Sequence, residues 1–439
     1  MHAMPKHLLP RFVAFCCLTM LALPLPAQLR IEIVGGVARP VPIAVVPFGW
    51  QGAGTAPFDV AGLVARDLAS SGRFEPLAGR DLVQRPTTEA EVDLGDWKAV
   101  GAEAVVIGQL RETAAGQYDI EFLVFDVLRG QRLLRYRQPA TAAELRLAAH
   151  RVADVVYEKL TGVPGIFSTR IAYVAALHKG GKPDIYRLII ADADGANEQV
   201  MVESREPIMS PAWSPDGRKL AYVSFENKVA EIYVQTVRSG ARQKVSARSG
   251  VNGSPAWSPD GRMLALTLSR GEGNLDLFTL DLGSQVLTRL TDQRSIETEP
   301  AWSIDGRSIY FTSDRAGGPQ IYRILATGGG AQRVSFEGNY NARPRVSPDG
   351  KRLAVVTNDR GNYRIAILDL ERGFSQVLTD GRQDESPSFA PNGETLIYAT
   401  REGGRGVLAT VSADGRVRQR IPAAEGDVRE PAWSPFRTN

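Results

Sequence analysis

One tract recurs six times in this 439-residue chain and constrains its fold more than any other feature. Pro-Ala-Trp-Ser-Pro-Asp-Gly stands at 211–217 and 255–261, and Pro-Ala-Trp-Ser-Ile-Asp-Gly at 300–306. Pro-Arg-Val-Ser-Pro-Asp-Gly follows at 344–350, Pro-Ser-Phe-Ala-Pro-Asn-Gly at 387–393, and Pro-Ala-Trp-Ser-Pro-Phe at 431–436. The anchors Trp213, Trp257, Trp302, Val346, Phe389 and Trp433 are spaced by 44, 45, 44, 43 and 44 residues. A period of that length belongs to stacked repeats, none of which buries its own faces alone.

Each repeat has one internal grammar. An Asp-Gly or Asn-Gly pair supplies the positive backbone angle of a tight turn. An apolar strand follows, such as Leu220-Ala-Tyr-Val, Leu264-Ala-Leu-Thr or Ile309-Tyr-Phe-Thr. Then come a polar loop, a second apolar strand such as Ile232-Tyr-Val or Ile321-Tyr-Arg, and a short outer strand such as Arg333-Val-Ser. Four short strands in about 44 residues make one propeller blade. The Pro two residues before each anchor suits the start of a strand, and the Trp residues suit the core between blades.

The ends of the periodic region predict how the ring closes. It opens at Ile171-Ala-Tyr-Val and Asp184-Ile-Tyr-Arg, which match second and third strands, and ends on a first strand at Pro431 to Pro435. The two incomplete units add to one blade, so the sequence predicts six blades closed by the C-terminal strand.

The innermost strands then start around one channel mouth. The residues before each Pro are Ile208-Met209-Ser210, Asn252-Gly253-Ser254, Glu297-Thr298-Glu299, Asn341-Ala342-Arg343, Asp384-Glu385-Ser386 and Val428-Arg429-Glu430. Met209, Ser210, Asn252, Thr298, Glu299, Asn341, Glu385 and Arg429 are the candidate contact residues for a peptide or protein partner.

Residues 28–162 have another texture. Arg30–Val34, Val41–Phe48, Ala104–Leu110, Tyr118–Leu128 and Gln131–Tyr136 read as strands. Residues 58–71 and 141–160 read as helices, the second opened by a Thr141/Glu144 capping box and ended by Thr161-Gly162-Val163-Pro164. Its predicted buried stripe is Leu145, Ala148, Ala149, Val152, Val155, Val156 and Leu160, with His150 on the outer face. The expected organisation is a signal peptide at 1–27, an α/β domain at 28–162 and a six-bladed propeller at 163–439.

The first 27 residues pair a basic start (Lys6, Arg11) with an apolar run from Phe12 to Leu25 and then Pro26-Ala27, an export signal with cleavage expected after Ala27. Both cysteines, Cys16 and Cys17, lie inside it, so the exported chain has no disulfide and no thiolate metal site. The formal charge falls from +3 to about +1 once Lys6 and Arg11 leave, and no nucleic-acid footprint remains.

Enzyme readings find little support in the residues. Ser313 to Tyr322 resembles a repeat of peptidase propellers, yet no G-x-S-x-G elbow occurs. Only His150 and His178 remain for a triad; His178 is expected in a solvated loop. Asp192-Ala-Asp194-Gly195-Ala-Asn197 has some calcium-loop character but lacks the bidentate Glu. No cofactor and no metal is expected.

Signal, α/β domain and six blades of the Trp-Ser-Pro-Asp-Gly type, four of them carrying the Trp itself, together resemble the TolB family of the Tol–Pal system. Leu29-Arg-Ile-Glu-Ile, Pro42-Ile-Ala-Val-Val-Pro-Phe48 and Trp97-Lys-Ala-Val-Gly-Ala-Glu-Ala-Val-Val-Ile-Gly108 are similar to its first domain. The resemblance implies a periplasmic, non-enzymatic, monomeric adaptor. Its propeller mouth would bind the lipoprotein Pal, and Leu29, Arg30, Ile31, Glu32 and Ile33 of segment 28–34 would bind TolA. Other envelope proteins are further candidate partners. Read from its residues, the segment alternates apolar and charged positions. That suits a strand on a partner's edge or an edge strand of its own domain.

Overall fold

The computed structural model describes residues 39–179, 182–270, 274–422 and 426–437. The expected signal peptide and the segment 28–34 lie outside them.

The first domain contains β1 (Val41–Val45), β2 (Gly49–Gln51), α1 (Val60–Ser70), β3 (Phe74–Pro76), α2 (Leu94–Ala99), β4 (Ala104–Ala114), β5 (Gln117–Asp126), β6 (Gln131–Thr141) and α3 (Leu145–Thr161). Its sheet runs β3-β1-β4-β5-β6, with β2 also beside β4. The first three strands are parallel because helices intervene. The last three are antiparallel, joined by tight turns in which Gly116 and Gly130 take positive φ. Alternation along the strands splits the core. Ile43, Val45, Val106, Phe122 and Val124 pack under α1 and α3. Ala44, Val105, Ile107 and Phe125 pack around Trp97 of α2 on the other face.

The capping box forms as the sequence predicts: Thr141 N–H and Oγ1 both donate to Glu144. Gly162, at φ 76°, stops α3. The outer-face placement of His150 is corrected. It is 1% exposed, because α3 is covered on that side by α1 and by the propeller. Val155, expected in the stripe, is only partly buried.

Six four-stranded antiparallel sheets follow. We number the blades from the one that carries the C-terminal strand. In blade 1, Asp427–Trp433 is innermost and pairs with Arg170–Lys179, followed by Lys182–Asp192 and Gln199–Ser204. The innermost strands of blades 2 to 6 are Ile208–Trp213, Asn252–Trp257, Glu297–Trp302, Asn341–Val346 and Glu385–Phe389. Ring closure is therefore the antiparallel pairing of the chain's last strand with the first strand of the propeller.

The tryptophans sit between blades. Trp213, Trp302 and Trp433 are buried, and Trp257 is partly buried. The indole N–H of Trp213 donates to the carbonyl of Ala432 in the preceding blade, Trp257 to Ala212 and Trp302 to Ala256, each at 3.1 Å. The turn glycines Gly217, Gly261, Gly306, Gly350 and Gly393 all have φ between 65° and 74°.

Two local expectations are corrected. The repeated Pro stands inside the innermost strand, three residues after its start in blades 2 to 5. A bulge just before it interrupts the ladder, so the missing N–H costs no pairing. His178 is in the strand Arg170–Lys179 and not in a loop; its exposed ring has Nε2 3.8 Å from Asp427.

The domains meet along α1, α3 and the turns of blades 1 and 6. Arg73 pairs with Glu394 at 2.9 Å, Asn392 donates to the Pro164 carbonyl at 3.0 Å, and Arg146 pairs with Asp194.

Candidate functional site: the mouth of the propeller channel

The residue just before each repeated Pro adopts the left-handed backbone conformation. Ser210, Ser254, Glu299, Arg343, Ser386 and Glu430 have φ of 52°, 48°, 57°, 55°, 55° and 52°. None is glycine, so each carries strain on the order of 1–2 kcal/mol. The bulge it makes turns its side chain and amide toward the axis. All six line one central cavity of about 360 Å³.

Hydrogen bonds tie members of this ring from blade to blade. The Glu430 carboxylate accepts from Ser210 N–H of the next blade. The Glu299 carboxylate accepts from Arg343 N–H at 2.9 Å, from its Nε at 2.6 Å and from Thr312 Oγ1 at 3.0 Å. Arg343 also reaches Ser386. Burial works against charge on Arg343, but Glu299 and Glu430 outweigh it and hold the guanidinium above its ordinary range. Arg345, two residues on in the same cavity, is held below its ordinary range by burial, with Arg343 adding to the effect.

Above the ring, between blades 4, 5, 6 and 1, lies an open cavity of about 510 Å³. Glu299, Tyr340, Arg343, Tyr363, Glu385 and Arg429 line it. Tyr340 and Tyr363 meet edge to face with centroids 5.2 Å apart. Both charge signs and two aromatic rings converge on one concavity, which suits a folded protein's loop.

The candidate residues fall into two groups here. Met209 is 38% exposed, Glu385 is exposed, and Ser210, Thr298, Glu299 and Arg429 are partly open. Asn252 is 1% exposed, with its amide bonded to Ser246 and to Arg248 on both backbone sides. Asn341 is 3% exposed and bonded to Gln320 and the Glu337 carbonyl. These two asparagines pin the loops that enter the innermost strands. The structure brings Glu299, Glu385 and Arg429 into one cavity, whereas Met209 and Asn252 belong to blades 2 and 3 across the ring. Sequence reasoning missed Tyr340 and Tyr363. Tyr340 had a signal, an aromatic directly before the blade-5 innermost strand. Tyr363 lies next to a polar turn and had none.

Among the described residues, Asp67, His150 and Asp194 are the one group whose ligand atoms approach within metal-binding distance of one another. The 192–197 tract carries other duties. Asp192 accepts from Asn197 and Arg437, and Asp194 pairs with Arg146. No helix among the described residues is long and apolar enough to cross a membrane.

The fold defines a two-domain protein in which an α/β domain precedes a six-bladed β-propeller with an open channel mouth. The TolB beta propeller domain matches residues 157–437, and the TolB amino-terminal domain matches residues 29–133. The chain belongs to the TolB family. It is 52% identical over 429 residues to the Tol-Pal system protein TolB of Xanthomonas campestris pv. campestris strain B100, covering 96% of this chain and 97% of that one. The same identity and coverage relate it to the Tol-Pal system protein TolB of Xanthomonas euvesicatoria pv. vesicatoria. The crystal structure of TolB from Acinetobacter baumannii superposes with a TM-score of 0.84 at 41% identity, covering 90% of this chain and 97% of that one. A nidogen/laminin complex chain matches with a TM-score of 0.51 at 11% identity over 62% of this chain and all of its own, a likeness of fold alone. The family places the chain among the Tol–Pal system components.

Proposed function

We propose that this chain is a non-enzymatic periplasmic adaptor of the Tol–Pal system. It binds Pal at the propeller mouth and TolA through segment 28–34, and so supports outer-membrane integrity and invagination during division. The observation that carries the reading is the ring of six strained, left-handed residues opening into the mixed-charge cavity of blades 4, 5, 6 and 1. Strain retained at six equivalent positions, with carboxylates tying neighbouring blades, fits a preorganised protein-binding surface. Glu299 is its centre, since it joins Arg343 to the mouth. Asn252 and Asn341 act from below by holding the loops in place.

Glu299→Lys should abolish capture of Pal in a pull-down from envelope fractions, by replacing a carboxylate beside Arg343 with a second cation. Normal capture by that variant would refute the mouth assignment. Deleting Gln28–Val34 should remove TolA capture and leave Pal capture intact; retained TolA binding would refute the segment assignment.

A further inference from the structure

The interface between the domains contains a buried imidazole that the mouth does not use. His150 of α3 lies with Nδ1 2.7 Å from Asp67 Oδ2 of α1, in its own domain. Its Nε2 faces Asp194 Oδ2, in the turn after the third strand of blade 1, at 3.8 Å. That Nε2 is buried and has no hydrogen-bond partner. Asp67 is also buried, and among the described residues His150 is the only cationic group that forms an ion pair with it.

A neutral imidazole has one N–H. With Asp67 accepting it at Nδ1, the Nε2 lone pair faces a carboxylate across the domain boundary, acceptor against acceptor. One added proton turns this contact into a charge-assisted bond, which needs the gap to close to about 2.7–2.9 Å. We propose that His150 is a proton-operated latch that fastens the α/β domain to the propeller through Asp194.

Further charges surround the pair. Arg146, one turn earlier on α3, pairs with Asp194 and lies 3.7 Å from Asp192. Arg437 of the C-terminal segment pairs with Asp192, and the Arg170 and Arg151 charges act on Arg437 or its neighbours. Asp154, one turn later, acts on the same cluster through Asp67. Burial disfavours a charged His150, but the hydrogen bond and charge of Asp67, with Asp194 and Asp192 behind them, hold the imidazole above its usual range. A raised value means the proton is held by the folded form. The latch is therefore closed below about pH 6.5 and is lost as pH rises through the folded value. The adjoining cleft of about 320 Å³, lined by Asp67, Tyr157, Phe167, Asp194 and Trp433, loosens with it. A divalent cation is the rival occupant. Arg146 already sits on the Asp194 oxygen that such an ion would need.

The chain from Gln28 onward with His178→Gln retains a single histidine. Its imidazole carbon signal, followed by NMR from pH 5 to 9, should titrate with a midpoint above 6.5, and Asp194→Asn should lower that midpoint. After correction for intrinsic rates, hydrogen exchange at the Gly195 and Ala196 amides should be slower at pH 6 than at pH 8, as expected of a closed latch that holds its proton more tightly than the open one. His150→Gln should erase that difference. Asp194 is a partly open turn residue outside the hydrophobic cores of both domains, so Asp194→Asn keeps the test decisive if the core variant fails to fold. A midpoint at or below 6.5, a midpoint indifferent to Asp194→Asn, or protection restored at pH 8 by equimolar zinc would each overturn the proposal.

Discussion

Ser214, Asp216 and Gly217 show how single residues make the repeat work. Ser214 Oγ bridges Asp216 and the Lys219 amide, Asp216 also accepts from Arg218 N–H, and Gly217 takes φ 65°. The same net recurs at Ser258, Ser303 and Ser347. Blade 6 departs from it by carrying Asn392, and the reason is a donor: its Nδ2 bonds the Pro164 carbonyl of the interdomain linker, which a carboxylate could not do. Asp154 is the other side chain on which the linker depends. It accepts from the Phe167 and Ser168 amides, and burial pushes its carboxyl up to about 6. The folded form thus keeps a proton that the unfolded form releases near pH 4. Stability should fall by about 2–3 kcal/mol as pH rises from 4 to 6, then level off. Urea midpoints across that range should show the fall in the wild type and lose most of it in Asp154→Asn.

At the scale of elements, each innermost strand has two jobs that its sequence separates. The half before the Pro is bulged and lines the mouth; the half after it ends in the anchor that meets the preceding blade. Trp213 joins blade 2 to blade 1 through packing and through its bond to Ala432. Trp213→Phe retains most of the packing and leaves that carbonyl without its donor. It should cost about 1–3 kcal/mol in chemical denaturation, while Pal capture stays intact. Blade 5 has Arg345-Val346 where most blades have Ala-Trp, and so places a guanidinium in the channel in place of a ring between blades. The strand and helix periodicities were legible for most elements. The bulge was not, because the residues before Pro include Ser, Glu and Arg, none of which advertises a left-handed backbone.

For the whole molecule, closure dominates. Asp427–Trp433 pairs with Arg170–Lys179, and Trp433 donates to Thr169 at 2.8 Å, so the last strand holds both ends of the ring. Deleting residues 431–439 should lower the thermal midpoint sharply and raise fluorescence quenching of the remaining tryptophans. An unchanged melting curve would show that the ring survives without its fastener. The two domains then share a boundary built from Arg73–Glu394, Arg146–Asp194 and the Asp154 staple, with the His150 contact at its centre.

Six blades, their closure, the α/β domain and its capped helix were all readable in the chain, because each rests on local periodicity or on turn residues with a defined backbone preference. The approximate position of the mouth followed from repeat geometry. Tertiary structure decided what the mouth residues bond. Asn252 and Asn341 stand three residues before the repeated Pro, one position earlier than Thr298 and Glu385, and their amides bond Ser246 and Gln320 of the preceding blades. It also decided the fate of His150. That residue sits on the polar side of α3's own apolar stripe, and only the arrival of α1 and blade 1 buries it between Asp67 and Asp194. Burial by a distant segment leaves no mark on a local pattern, which is why a periodic chain can declare its architecture and still conceal its interface chemistry.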